Sequence, residues 1–419
     1  MPRGRAPAIL VGLLKFSAVV LVAGLQAAAL WIGLLGRAPE APALPTDAGA
    51  LPEPEYGVTW VPGVGPKTFG NCTRILSIDG GGVRGLIPAL ILAEIEKRTE
   101  HRIYEQFDLV VGSSTGSILA LGLTRPSNAD ARKPAFAAQD IVRFYRDNSA
   151  TIFPYSFAPL RYLRRIFRPK YGPESIESAY ALFFEDVQLQ EALTNVVVPG
   201  YDIEDNRRLW FKSYSSAHGN LLMRDLVRGA TAAPTYLPPV RFAVQKHVAA
   251  KGYVALVDGA LFANNPSQEA LLFGQTIHGQ DDKSVLLLSL GTGRSTQKHS
   301  FEQAWGWGVL GWMDPLLDIA FSDPAVDEIM SRALEGHGSY FRMQVDLGVS
   351  SIALDDASPD AMQKLEVSAQ DFIKQQSEMI DGIVSELALP RSPKCGPSIG
   401  ADYERPEGPR KSISPTISP

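Results

Sequence analysis

The feature that most constrains this chain is Gly112-Ser113-Ser114-Thr115-Gly116, placed directly after the apolar run Leu109-Val110-Val111. A G-x-S-x-G pentapeptide at the end of an apolar run fits a sharp strand-to-helix turn with a serine at its apex. The flanking glycines meet the strand and helix backbones, where a Cβ has no room. The serine hydroxyl is left at the start of a helix, whose N-terminal dipole favours developing negative charge. Alone, the pentapeptide is equally compatible with an ordinary small-residue turn.

Two further loops alter that balance. Ile75-Leu76-Ser77-Ile78 reads as a buried strand and runs into Asp79-Gly80-Gly81-Gly82-Val83-Arg84-Gly85. The nearly apolar stretch Leu86 to Glu94 then reads as a buried helix. Strand, glycine loop and helix make an anion site, because successive backbone N–H groups point outward with no side chains in the way. The anion is either a nucleotide phosphate, for which Gly80-x-Gly82-x-x-Gly85 has the spacing, or the oxyanion of a tetrahedral acyl intermediate. A dinucleotide fold expects an acid about 20 residues further on, closing a second strand. Asp108 instead precedes its apolar run, and Asp79 at the loop mouth would repel a pyrophosphate, which favours the oxyanion. Finally, Tyr253-Val254-Ala255-Leu256-Val257 ends in Asp258-Gly259-Ala260, an acid where open α/β sheets place their sites. An isolated Asp-Gly is a common turn. Donors, a nucleophile and an acid on three strand-end loops are harder to obtain by chance.

Together these motifs resemble those of the patatin-like phospholipases. Asp79 to Gly85 is similar to that family's oxyanion motif, Gly112 to Gly116 to its nucleophile motif, and Asp258-Gly259-Ala260 to its aspartate motif. The segment Gly229 to Pro239, Asn264-Asn265-Pro266 and Ser289-Leu290-Gly291-Thr292-Gly293 fit as well. The resemblance covers about Arg74 to Gly293 and extends to about Ala388. It implies hydrolysis of acyl lipids by a Ser–Asp dyad without histidine, and no cofactor. Carried over, Ser114 is the nucleophile, Asp258 the general base, and the amides of Gly80, Gly81 and Gly82 the oxyanion hole. Arg84 steadies that loop or the lipid phosphate, with Gly85, Gly112, Gly116 and Gly259 in support. A carboxylate serves as base to a hydroxyl only if burial raises its pKa, so Asp258 is expected in a water-poor cleft. The chain shows no His-rich or Cys-rich metal-ligand spacing, so no metal is expected.

Two other readings remain. One is a Ser–Asp–His triad, whose chain order leaves His278, His299 and His337 as third members. The first two sit in polar, loop-like sequence, whereas His337 is flanked by glycines and is the one to test. The other is a catalytically idle, membrane-anchored scaffold that binds lipid, against which the intact Ser114 and Asp258 count.

The apolar runs alternate with helical patterns, as βαβ units do, so a three-layer α/β/α sandwich with a mainly parallel sheet is expected over residues 71–390. The length leaves room for a substantial core, and a net charge of −5 argues against a nucleic-acid partner. Phe16 to Gly36 carries no charge and matches the roughly 20 residues of a membrane span. Arg3, Arg5 and Lys15 precede it, and Glu40, Asp47, Glu53 and Glu55 follow, which places the catalytic domain on the non-cytoplasmic side. Residues 1–37 are therefore expected to be an uncleaved signal anchor, with a cleaved signal and a secreted enzyme as the alternative. A Pro/Ala-rich linker over 38–70 and a disordered tail over 391–419 complete the expected organisation. Cys72 and Cys395, the only two cysteines, stand at the domain's edges and are either a clamp or two free thiols. Phe153 to Tyr171 interleaves Arg161, Arg164, Arg165, Arg168 and Lys170 with aromatics, as a lid for anionic lipid or a solvated crossover. Trp305, Trp307 and Trp312 suit an acyl-binding rim or ordinary packing under a loop.

Overall fold

The computed structural model describes residues 59–61, 69–154, 168–277, 284–295, 298–308, 324–336, 338–348, 352–391 and 395, with isolated positions between 311 and 319. The expected anchor at 16–36, most of the linker, the basic stretch 155–167, His278, His337 and the tail beyond Cys395 lie outside the described residues. Among the described residues no helix is long and apolar enough to cross a membrane.

The apolar runs assemble into one nine-stranded sheet. Its strands are β1 (Thr59–Val61), β2 (Thr73–Ile78), β3 (Leu109–Gly112), β4 (Asn195–Asp202), β5 (Arg207–Lys212), β6 (Val240–Ala243), β7 (Tyr253–Asp258), β8 (Val285–Leu290) and β9 (Gly338–Met343). Their order is β1-β9-β8-β2-β3-β4-β7-β6, with β5 also on β4. Strands β9, β8, β2, β3 and β4 are mutually parallel. Strands β1, β5, β6 and β7 pair antiparallel, so the mainly parallel sheet expected from the sequence is confined to the centre. The β4–β5 connection is a short turn between Asp202 and Arg207, which leaves no length for the crossover that a parallel pair requires.

Both faces of the parallel centre are buried, which is why β3, β8 and much of β2 and β4 read as apolar runs. Leu76, Ile78, Val110, Val196, Leu286, Leu288 and Phe341 share one core with most of the helices. These are α1 (Leu86–Thr99), α2 (Thr115–Thr124), α3 (Ala138–Ile152), α4 (Glu174–Phe184) and α5 (Met223–Ala230). Ile75, Leu109, Val111, Val197, Leu287 and Tyr340 alternate with them and pack against α6 (Ser267–Gly274) and α7 (Pro324–Leu334). Two C-terminal helices, α8 (Pro359–Gln375) and α9 (Ser377–Ala388), join the first core, α8 lying along α1.

Two boundaries differ from the sequence reading. Thr59-Trp60-Val61, inside the expected linker, pairs with β9 as an edge strand. Its β-branched and aromatic residues favour that pairing although Pro and Gly surround them. At the other end, Arg391 forms an isolated bridge with Gly70 and donates to Cys72 O and Asp108 Oδ2, so order extends past residue 390. Cys72 and Cys395 form a disulfide, which settles the open pairing. Residues 298–316 make a separate unit. Within it Ser300 caps the short helix Phe301–Trp305, and Trp307 packs edge-on against His299 and Trp312.

Candidate active site

β3 ends at Gly112 and α2 begins at Thr115, so Ser114 occupies the turn between them, with φ 49° and ψ −119°. A positive φ at a non-glycine residue costs about 1–3 kcal/mol and persists only where its surroundings enforce it. Here they do. The Ser113 amide donates to Ile78 O at 3.0 Å, and Ser117 Oγ donates to Ser114 O at 2.5 Å. A Cβ on Gly112 would strike Gly116 O, and one on Gly116 would strike Ile78 O, which is the backbone approach that the two glycines permit.

Asp258 reaches this turn through the register of three strands. Val197 pairs with β3 and β5 at once, so those two strands hold opposite edges of β4. Gly200–Asp202 pairs with β5 and β7 at once, which places β7 on the same edge as β3, end to end with it. The C-terminal residue of β7 therefore meets the C-terminal end of β3, although the two strands run in opposite directions. Ser114 Oγ donates to Asp258 Oδ2 at 2.5 Å, and the Ala260 amide donates to Oδ1 at 2.8 Å. Asp258 is 2% exposed and Ser114 9%. Burial raises the Asp258 pKa from 3.8 to about 7, outweighing the two hydrogen bonds that favour the carboxylate.

The glycine loop departs in part from expectation. The Gly80 amide donates to Asn264 O at 3.0 Å and so is not available to an oxyanion. Gly81 and Gly82 do line the cavity over Ser114, as does Thr115, and their amides make no hydrogen bond among the described residues. Gly82 has φ +58° and abuts Leu354 O, so only glycine suits that position. Gly85 packs under the Tyr145 and Thr115 hydroxyls, and Gly259 against Pro199. Arg84 is buried, and its Nε donates to Ile352 O at 2.7 Å while the Val83 amide donates to Leu354 O at 2.8 Å. These two bonds tie the loop to segment 352–355, and Arg84 is not among the residues that line the cavity. Asp79 does not stand at the loop mouth. It is buried beneath the loop in a bidentate pair with Arg342, and burial still pushes its pKa up to about 6.

The cavity above Ser114 encloses about 700 Å³, its open mouth included, and is walled mainly by Ile118, Phe144, Ile152, Phe153, Ile176 and Leu237. Its polar lining is internally paired. The Tyr145 hydroxyl bonds to Thr115 Oγ1, and Tyr180 OH donates to Thr231 Oγ1 at 3.2 Å. Burial pushes both phenols above the ordinary tyrosine range, so they remain neutral. At the rim, Asp355 pairs with Lys170 and accepts from Tyr171 OH at 2.7 Å. The described end of the basic stretch is therefore held to the cavity wall. Of the three histidines, His299 is described, in the separate unit against Trp307.

Three contributors escaped the sequence reading: the Thr115 amide, Asn264 as acceptor for Gly80, and Arg342 beneath Asp79. The first had a signal, since the residue after an elbow serine commonly supplies an oxyanion donor. The other two follow from long-range packing alone.

A family model described as patatin-like phospholipase matches residues 76–271. Patatin-like protein 2 of Arabidopsis thaliana is 34% identical over 348 residues, spanning 74% of this chain and 84% of its own. A Solanum tuberosum protein named probable inactive patatin-3-Kuras 1 is 31% identical over 357 residues, 78% of this chain and 93% of its own. Among solved structures, human GIVD cytosolic phospholipase A2 aligns with 75% of this chain and 60% of its own, at 12% identity and a TM-score of 0.43.

Proposed function

Because the chain belongs to the patatin-like phospholipase family, we propose that it cleaves carboxylic esters of phospholipids or related acyl lipids through Ser114, Asp258 and an acyl-serine intermediate. The observation that carries this reading is the 2.5 Å bond from Ser114 Oγ to a buried Asp258 within an apolar-walled cavity. An acyl chain would lie along that wall with its carbonyl over Ser114. As Ser114 Oγ attacks, its proton passes to Asp258, and the carbonyl oxygen takes the negative charge. The amides of Gly81, Gly82 and Thr115 are the donors for that charge. Asp258 then returns the proton to the departing alcohol and takes another from water. The hydroxide so formed attacks the acyl carbonyl, the acyl–Oγ bond breaks, and Asp258 gives its proton back to Ser114 Oγ as the fatty acid leaves. A carboxylate with a pKa of about 7 is well matched to both transfers.

The chemistry calls for no histidine. The test is turnover of phospholipid and neutral-lipid esters by the detergent-solubilised full chain. Activity lost in Ser114→Ala supports the reading, and activity retained there refutes it. Lipid binding without hydrolysis of any ester would favour the idle scaffold.

For topology the proposal is an uncleaved N-terminal anchor with the catalytic domain on the non-cytoplasmic side. The uncharged run and its flanking charges support it, and so does the Cys72–Cys395 disulfide, a bond of oxidising compartments. Resistance to an alkaline wash and an N-terminus at Met1 or Pro2 are expected. A mature chain starting between Ala38 and Gly49 would mean a cleaved signal and secretion.

A further inference from the structure

We propose that Arg342, on β9, is the positioning residue that sets the angle of the oxyanion loop, acting through Asp79 beneath it. The inference rests on the hydrolase reading above, and it adds a residue that lies outside the matched family segment 76–271. Oxyanion donors act only when they sit at about 2.7–3.1 Å from the charge that develops, so a small rotation of the loop removes their benefit. Asp79 is the last residue before Gly80. Its Oδ1 accepts from Arg342 Nη1 at 3.0 Å and its Oδ2 from Nη2 at 2.6 Å. The side chains are 4% and 2% exposed, so the pair is shielded from water on every side.

The backbone around Asp79 is fixed as closely. Its amide donates to Leu290 O at 2.9 Å, the next amide donates to Asn264 O at 3.0 Å, and Thr292 Oγ1 donates to Gly80 O at 2.7 Å. With those groups held, the amides of Gly81 and Gly82 are the ones left to face the cavity. Arg342 is anchored in turn. Its Nη1 donates to Ser289 Oγ at 2.8 Å, and its Nε lies 3.3 Å from Asp327 Oδ1. That same oxygen accepts from Tyr340 OH at 3.1 Å and Asn265 Nδ2 at 3.2 Å. Asn265 adjoins Asn264, the residue that receives the Gly80 amide, so the web closes on the loop it starts from. A planar guanidinium supplies this two-pronged geometry, and a lysine of equal charge does not.

A purely cohesive role is the competing account, and buried ion pairs separate the two. Replacing both partners by apolar residues of similar size is often neutral or favourable for stability. The paired substitution Asp79→Leu/Arg342→Met thus removes orientation and leaves no fully buried charge alone, since Asp327, the other carboxylate beside Arg342, is 24% exposed and keeps its bonds from Tyr340 OH and Asn265 Nδ2. The test uses the full chain as wild type, S114A, R342K and D79L/R342M. Melting temperature, kcat and KM are measured on a soluble short-chain p-nitrophenyl ester. A positioning role predicts kcat about tenfold lower in R342K and about 10²-fold lower in the paired variant, the cost of one lost donor. KM stays within twofold and both proteins melt cooperatively. A folded paired variant with kcat within threefold of wild type would overturn the proposal. So would failure of both variants to fold, which would assign the pair to cohesion. Absence of Ser114-dependent turnover in the wild type would overturn the hydrolase reading with it, whereas normal turnover in the variants removes only the role of Arg342.

Discussion

Asp258→Asn is expected to abolish turnover and at the same time to stabilise the protein, by an amount that grows with pH. The carboxyl has a pKa of about 7 when folded against the ordinary 3.8. A raised folded pKa means that the native state holds the proton more tightly than the unfolded chain. Stability from this group is complete below about 3.8 and is lost as pH rises to about 7, after which the loss is constant. At about 1.4 kcal/mol per pH unit, burying the ionised group costs about 4 kcal/mol at pH 8.5 but under 2 kcal/mol at pH 5. Asparagine removes the titration, so it gains about 2–3 kcal/mol more at pH 8.5 than at pH 5 relative to wild type. For a chain of this size that is a difference of roughly 2–4 °C in melting temperature. Asp79, also raised, to about 6, is present in both proteins and cancels in the comparison. Thermal melts of the two proteins at pH 5 and pH 8.5 give the result directly. In the wild type, kcat/KM should fall tenfold per pH unit below about 7, because only ionised Asp258 accepts the serine proton. An equal melting gap at both pH values, or a wild-type rate flat down to pH 5, would refute the reasoning.

Ser114→Ala and Asp258→Asn should each remove nearly all hydrolysis, and the double variant should be little worse, because the two act as a unit. His337→Ala should retain near-wild-type turnover in the same assay; a loss of about a thousandfold with folding intact would instead require a triad. Gly81→Ala sets a methyl 2.5 Å from the buried Thr292 Cβ, so the loop itself must move, and kcat should fall by roughly 10²–10³ in protein that melts cooperatively. Unchanged kcat there would remove Gly81 from the oxyanion hole. The Cys72–Cys395 bond closes a separation of 323 residues, so Cys395→Ser should cost at least the typical 2–4 kcal/mol in denaturant titrations. Equal stability of that variant and wild type would show that the clamp contributes nothing.

The parts of the site that the sequence displays are those built locally. An elbow serine needs its glycines within two residues, and the loop amides need no side chains over three, so Gly112, Gly116, Gly81 and Gly82 are written into short segments. The buried-strand runs are legible for a similar reason, since both faces of the parallel centre are covered and β3 and β8 are almost wholly apolar. Edge strand β1 is not legible, because three residues among Pro and Gly carry no periodicity. Nor is the fate of the Gly80 amide. Its partner is a carbonyl, Asn264 O, and any residue could have supplied one.

Asp258 shows how a residue beside Ser114 can be reached through an incomplete picture of the fold. An acid ending an apolar run suggests the C-terminal edge of a parallel sheet, yet β7 is antiparallel to β4. It arrives at the same edge because β3 stops pairing with β4 at Val197 and β7 begins at Gly200, on the edge that β3 vacates. That relation depends on where two strands end against a third, far apart in sequence, and no local pattern encodes it. Arg342 is the extreme case. It is one arginine in the strand Gly338–Met343, with no motif around it, and its significance comes from β9 lying beside β8 and β8 beside β2. A parallel sheet aligns the ends of neighbouring strands, so a side chain two strands away can reach the loop that follows β2. The register of the sheet thus brings a residue beyond 271 beneath the glycine loop that borders the cavity.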